Sequence, residues 1–225
     1  MTAGGAGPGG RPNDTEALPM PMFPLGTVLF PHMGLPLHVF ESRYRTLTRD
    51  CLDRNGEFGV VLIERGSEVG GGDTRFGVGT VALIAEAAEL PDGRWVLLAT
   101  GTRRIRVSCW LPDEPYPVAL VEELADPPMQ PADMEHLELA SRAVRRALAL
   151  QTELGDQPGV PATVSLDDEP AVAAWQLCAI APIGPVDQQR LLETPDVQSR
   201  LRLLAELATA AADLLGYRLS GGGPG

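Results

Sequence analysis

Lysine is absent from this 225-residue chain: all 18 of its basic residues are arginine. That absence removes three kinds of chemistry. A Walker-type P-loop uses a lysine to reach the β- and γ-phosphates. Schiff-base catalysis and the Ser–Lys dyad each need a lysine amine. Cysteine is scarce as well. Cys51, Cys109 and Cys178 are odd in number, far apart and set in apolar surroundings. They fit neither a disulfide framework nor a zinc site, and read as reduced, buried thiols of a cytoplasmic protein. The histidines are His32, His38 and His136, with no HExxH, and no GxSxG is present either. No cofactor or metal is expected. Nothing approaches the roughly 18 uninterrupted apolar residues of a membrane helix. Residues 1–19 are Gly/Pro-rich without an apolar stretch of signal-peptide length, and are read as a disordered tail; residues 217–225 are read as a second, flexible one.

Charge is lopsided: 30 acids stand against the 18 arginines, a formal net of −12. Such a field repels phosphate backbones, which makes nucleic acid an unfavoured partner unless bases cluster locally. "GTRRIR" (101–106) is the one local basic cluster. It either meets an acidic peptide or neutralises a neighbouring acid such as Glu41. At this length the chain buries about 70% of its unfolded surface, enough for one large domain or two small lobes without crosslinks.

Short strand patterns dominate the first half. "TVLF" (27–30) and "LPLHVF" (35–40) read as extended runs confined to edges or turns by Pro31 and Pro36. From Glu41 the period becomes helical, with Tyr44, Leu47 and Cys51 on one face and Asn55-Gly56 as the stop. Glu41 and Arg45 sit one turn apart. "FGVVLIE" (58–64) is apolar throughout and is expected to be covered on both faces. Residues 77–90 and 94–100 flank a "PDG" hairpin turn. "TRRIRVSCW" (102–110) alternates, with Arg103, Ile105, Val107 and Cys109 on one face and Arg104, Arg106 and Ser108 on the other. "YPVALVEEL" (116–124) completes the strands. Helices follow over 132–153, after Asp167 or Asp168 with Pro170 in the first turn, in a short turn near "PVDQQRLLE", and from Thr194-Pro195 to Gly216. The last is expected to bury Val197, Leu201, Leu204, Ala208, Ala211 and Leu215. The fold class is α+β: a β-rich barrel or sandwich lobe with one helix over 20–124, then an α-helical bundle over 131–216.

Residues 23–45, "FPLGTVLFPHMGLPLHVFESRYR", are the most distinctive stretch. Prolines that hold an apolar segment at a sheet edge leave backbone groups and side chains available to an extended peptide by strand addition. Phe30, His32, Met33 and Leu35 are the candidate substrate-binding residues, with Met33 supplying adaptable packing. The same run is equally what the core of the lobe needs. Tyr44 and the pair Glu41/Arg43 are read as structural, tying helix to sheet, and Arg104 as a further ion-pair candidate. His32 is either a plain turn residue or a ring that meets a ligand; His38 is a half-exposed strand residue and His136 a solvated one. The glycine string 66–79 opens a strand rather than a helix, so a flexible connection fits it better than a phosphate loop.

The same stretch resembles the opening of the Lon protease N-terminal domain. Pro24, Leu25, Val28, Phe30, Pro31, Pro36, Leu37, Glu41, Arg43 and Tyr44 match its pattern. Phe58-Gly59-Val60, Gly79-Thr80 with Ala82, and Gly101 with Arg104 and Val107 match later strands; Gln189, Leu191, Leu192, Arg200, Leu201 and Leu204 match its helical end. His32 stands where glycine is common, and Gly26 where arginine often stands. The resemblance implies a PUA-like β-lobe, a helical bundle and recognition of unfolded or extended polypeptides. With no lysine for an ATPase or a protease dyad, the expectation is a stand-alone, non-catalytic module, an adaptor for a protease or chaperone or a weak holdase. The alternatives are an RNA-binding PUA-like protein using Arg103, Arg104 and Arg106, or a small hydrolase using His32 or His38.

Overall fold

Three prolines would ordinarily end a strand, yet Leu18–Leu25, "LPMPMFPL", forms β1. The computed structural model describes residues 17–66, 74–155 and 160–221, and its pairings show how this is tolerated. Leu18–Pro21 pair antiparallel with β6 (Val118–Leu124), whereas Met22–Leu25 pair parallel with β3 (Glu57–Arg65). Each half of β1 thus needs only one ladder, and the missing proline donors face away from it. The sequence reading put the first strand at 27–30. The strand lies upstream, and it begins inside the segment read as a tail, whose residues 1–16 lie outside the described residues.

β2 (Gly34–Val39), β4 (Thr74–Glu89) and β5 (Trp95–Trp110) complete a six-stranded sheet of order β2-β5-β4-β3-β1-β6. β5 also pairs with β6, so the ladders of β5, β4, β3, β1 and β6 run round and close on themselves. β2 is added to the first half of β5. Two strands expected at 94–100 and 102–110 are one, continuous through Gly101. The β4–β5 hairpin turns on "PDG", with Gly93 at φ 79° and the Leu90 N–H donating to the Arg94 carbonyl at 2.7 Å. Most of the glycine string, residues 67–73, lies outside the described residues. β3 is buried continuously from Phe58 to Leu62, as its unbroken apolar run requires.

One helix interrupts the strands: α1 (Ser42–Leu52) buries Tyr44, Leu47 and Cys51 and ends before Gly56 at φ 73°. Four helices follow: α2 (Asp133–Leu154), α3 (Pro170–Ile180), α4 (Pro185–Glu193) and α5 (Val197–Leu219). Pro170 occupies the first turn of α3. α5 differs from expectation at both ends. Asp196, not Thr194, caps it by accepting the Ser199 N–H at 2.8 Å, and the helix passes through Gly216 to Leu219. Ala212 rather than Ala211 carries its stripe inward.

The segment between β1 and β2 is the seam of the molecule. It is irregular, not extended. Leu29 enters the β core beside Phe58 and Ala99, while Phe30 enters the helical core and packs on Trp175 at 5.7 Å. Thr80 Oγ1 donates to the Leu29 carbonyl at 2.6 Å, and the Gly101 N–H donates to the Met33 carbonyl at 2.9 Å. A Cβ on Gly101 would strike the Phe30 carbonyl, so only glycine lets the seam lie against β5.

Candidate functional site

β2 alternates. Leu35, Leu37 and Val39 face the β core, and Pro36 and His38 face out. The register sets Pro36 opposite Leu98 and His38 opposite Val96, and β4 extends both rows with Glu86 and Ala88. Leu98 is 42% exposed, Val96 46%, and Phe40, just past β2, 55%. The result is a three-stranded, largely apolar outer face.

β2 is also an edge, since among the described residues its only ladder is with β5. The Met33 carbonyl is turned to β5, so by alternation the backbone groups of Gly34, Pro36 and His38 turn outward. Pro36 therefore sits where its missing N–H costs no ladder bond. Where β2 meets α1 lies a cavity of about 160 Å³, walled by Phe23, Leu25, Val39, Phe40 and Tyr44. Phe23 and Tyr44 stack at 4.0 Å, Arg43 lies over the Tyr44 ring at 4.4 Å, and Arg43 Nε donates to Glu41 at 3.1 Å. His38 and Glu41 line the cavity as well; a volume of about 150 Å³ takes up a benzene-sized group, so this one matches a single large side chain.

The four sequence-predicted binding residues do not form one surface. Phe30 is 1% exposed and belongs to the helical core, which removes it from any docking face. Met33 and Leu35 are half-buried against the cores, Met33 touching both. His32 is exposed at a tight turn with φ 65°, the left-handed region that favours glycine. Sequence reasoning missed Val96, Leu98 and Phe40. The signal was "WVLLAT": a strand with one covered face needs apolar residues only at alternate positions, and this one has them at nearly all.

Two of the three arginines of the cluster, Arg103 and Arg104, are committed elsewhere, and Arg106 is exposed. Arg103 donates to both Glu57 carboxylate oxygens, at 2.6 and 2.9 Å, and lies 3.2 Å from Glu123. That hydrogen bond, ahead of the simple charge attraction, holds the Glu57 carboxyl below its ordinary range. Alternation placed Arg104 on a polar face; it is 2% exposed instead. It donates to the Leu192 and Thr194 carbonyls at 2.9 and 2.8 Å and to Asp126 at 3.3 Å. Arg200, 1% exposed, reaches the same Asp126 oxygen at 2.8 Å and covers Trp175 at 3.6 Å, while Trp175 Nε1 donates to Asp126 at 3.1 Å. Burial first, then the neighbouring Arg200, lower the Arg104 pKa against the pull of Asp126. Two guanidinium groups and one carboxylate thus join strand, linker and helices. The neighbouring α4 C-terminal carbonyls offset the excess positive charge.

Cys51 and Cys178 are buried, and burial pushes both thiols up to about 12. Cys109 is exposed, contrary to the buried reading, because β5 is irregular between Val107 and Cys109 and the alternation slips. His136 is half-buried rather than solvated, its Nε2 accepting from Arg202 Nε at 3.0 Å. Among the described residues no group of three His, Cys, Asp or Glu is placed to hold a metal, and no helix is long and apolar enough to cross a membrane.

The family described as the ATP-dependent protease La (LON) substrate-binding domain matches residues 19–210. The Lon protease of Escherichia coli K12 is 29% identical over 212 residues, covering 91% of this chain and 26% of its own length. Lon protease 2 of Herpetosiphon aurantiacus is 30% identical over 204 residues, covering 88% and 24%. The chain therefore spans about a quarter of the length of these curated relatives. Among solved structures, the Lon N-terminal domain protein from Xanthomonas campestris superposes with a TM-score of 0.60 at 28% identity, covering 84% of this chain and 98% of that one. The N-terminal domain of Mycobacterium avium complex Lon protease gives 0.58 at 17% identity, covering 85% and 98%, a likeness of fold alone. The match is to the substrate-binding module and not to the ATPase or protease part of the relatives, and the chain belongs to the LON substrate-binding domain family.

Proposed function

We propose that this protein is a non-catalytic recognition module for unfolded or extended polypeptides, built on a PUA-like barrel, which hands its clients to a protease or chaperone. The observation that carries this reading is the exposed apolar face of Pro36, Val96 and Leu98 beside the β2 edge, which is unpaired among the described residues. A client strand laid on that edge gains backbone hydrogen bonds, and its side chains meet the apolar face and the cavity beside Phe40. Apolar patches of this kind mark interaction sites. The net charge of −12 keeps a client-laden module soluble. RNA binding is disfavoured, since Arg103 and Arg104 are held by carboxylates and carbonyls, which leaves Arg106 as the exposed member of that cluster. The hydrolase reading is disfavoured too: His38 stands on β2 opposite Val96, and His32 lies apart from it at an exposed turn.

Unfolded casein provides the test. The double variant Val96→Asp/Leu98→Asp removes apolar contact at two exposed positions, so its affinity should drop roughly 10- to 100-fold with little change in thermal stability. Absence of casein binding by the unaltered protein at high micromolar concentration overturns the reading, and so does binding that ignores the two aspartates.

A further inference from the structure

The helical half carries a second groove, remote in sequence from β2. Two cavities of about 560 and 440 Å³ meet at Met134 and Pro170. One wall is a single face of α2, where Met134, Leu137, Ser141 and Arg145 recur at helical spacing. The other is the chain entering α3, with Leu166, Pro170 and Ala173. That second wall is fixed in advance. Arg145 donates to the carbonyls of Ala162 and Val164, the Asp167 N–H donates to Gln176 Oε1 at 2.7 Å, and the Asp167 carboxylate accepts the Glu169 N–H at 2.9 Å.

The lining is apolar and the rim is acidic. Glu138, Asp167, Asp168 and Glu169 border the groove, against Arg142 and an Arg145 already turned to backbone carbonyls. Two physical features select the occupant. The α2 wall offers no unpaired backbone, and in the other wall the Ala162 and Val164 carbonyls and the Asp167 and Glu169 N–H groups are already taken, so recognition runs mainly through side chains, as when an amphipathic helix lies in a groove. The rim's excess of carboxylates favours a cationic partner and disfavours a second copy of this chain, itself at −12.

We infer that this groove binds an amphipathic helix of a partner protein, about three turns long, whose apolar ridge is flanked by lysine or arginine. From Met134 to Arg145 the wall rises roughly 16 Å at about 1.5 Å per residue, which sets that length. Met129 and Met134 supply adaptable contacts at the end where the two cavities join. The site is separate from the β2 face, so neither assignment depends on the other.

The experiment uses the full chain and two labelled synthetic peptides with one apolar ridge, flanked by lysines in one and by glutamates in the other. The lysine peptide should bind about tenfold more tightly at low salt, the sum of several modest exposed ion pairs, and the difference should fade as salt rises. Glu138→Arg/Asp168→Arg, both at exposed positions, should reverse the preference, and Met134→Asp should weaken both peptides. Val96→Asp/Leu98→Asp should leave peptide binding unchanged even where casein binding is lost. Equal affinity for the two peptides, indifference to the charge reversal, or loss of peptide binding in the β2-face variant overturns the proposal.

Discussion

Asp126 is the residue on which most of the interior polar network converges. It takes hydrogen bonds from Arg104, Arg200 and Trp175, and both arginines are almost wholly buried. Removing the carboxylate leaves two guanidinium groups facing each other without an anion. Asp126→Ala should therefore cost about 3 kcal/mol, the lower end for a broken buried pair because the Asp126 side chain is 33% exposed. Urea unfolding followed by tryptophan fluorescence measures it; a cost under about 1 kcal/mol would mean that backbone carbonyls alone hold the arginines. Little of this was legible in the sequence. "TRRIR" announced a basic cluster, but the acids that hold it, Glu57 and Asp126, are tens of residues away or follow a strand end. Alternation turned Arg104 outward because the rule knows one sheet face and not the helices packed on it. His32 was more legible: it reads as a turn residue, and it lies at a tight turn with φ 65°.

Whole elements were read best where one period ran without interruption. α1, β3, the β4–β5 hairpin and α2 follow the positions that their patterns predict. The errors lie where proline or a seam overrides the pattern. β1 was missed because its prolines argue against a strand unless each half has a single neighbour, and pairing partners are non-local information. "TVLF" reads as a strand because its apolar residues suit one, but they serve two different cores. Tyr116, leading into β6, fastens that strand to α1 by donating to Asp50 at 2.6 Å. Burial, and then the bond to Asp50, push its phenol up to about 12. A folded-state value above the unfolded value of about 10 means a contribution fully present below pH 10. That contribution is lost as pH rises through about 12. Cys51, also raised to about 12, acts in the same direction. Tyr116→Phe should thus show a shallower decline in stability over this alkaline window than the unaltered protein. Parallel declines would show that the phenol titrates alike in both states.

The molecule as a whole is held together by a segment that looks, in sequence, like a surface. Leu29 belongs to the β core and Phe30 to the helical core, one residue apart, and Arg104 reaches from β5 to the end of α4. The apolar run between Pro24 and Pro36 is thus apolar because it joins two interiors. The exposed apolar positions lie a few residues on, and on the strand that pairs with them. The exposed edge was legible from Pro36; the face beside it was not, since it comes from β5 and its register. A joint this apolar should make the strands and helices unfold together, unlike lobes linked by a small polar interface. In a Trp95→Phe/Trp110→Phe background, which leaves Trp175 as the one fluorophore of its kind, urea unfolding read by far-ultraviolet circular dichroism and by Trp175 fluorescence should give coincident curves. Phe30→Ala opens a cavity against Trp175 and should cost about 3–5 kcal/mol. Its effect on cooperativity is more telling than its size. The cavity lies where the cores meet, so the variant should separate the two curves, the fluorescence change coming first. If the curves stay superimposed in the variant, the lobes are coupled chiefly through Arg104, Asp126 and Arg200, and Asp126→Ala should then be the change that separates them.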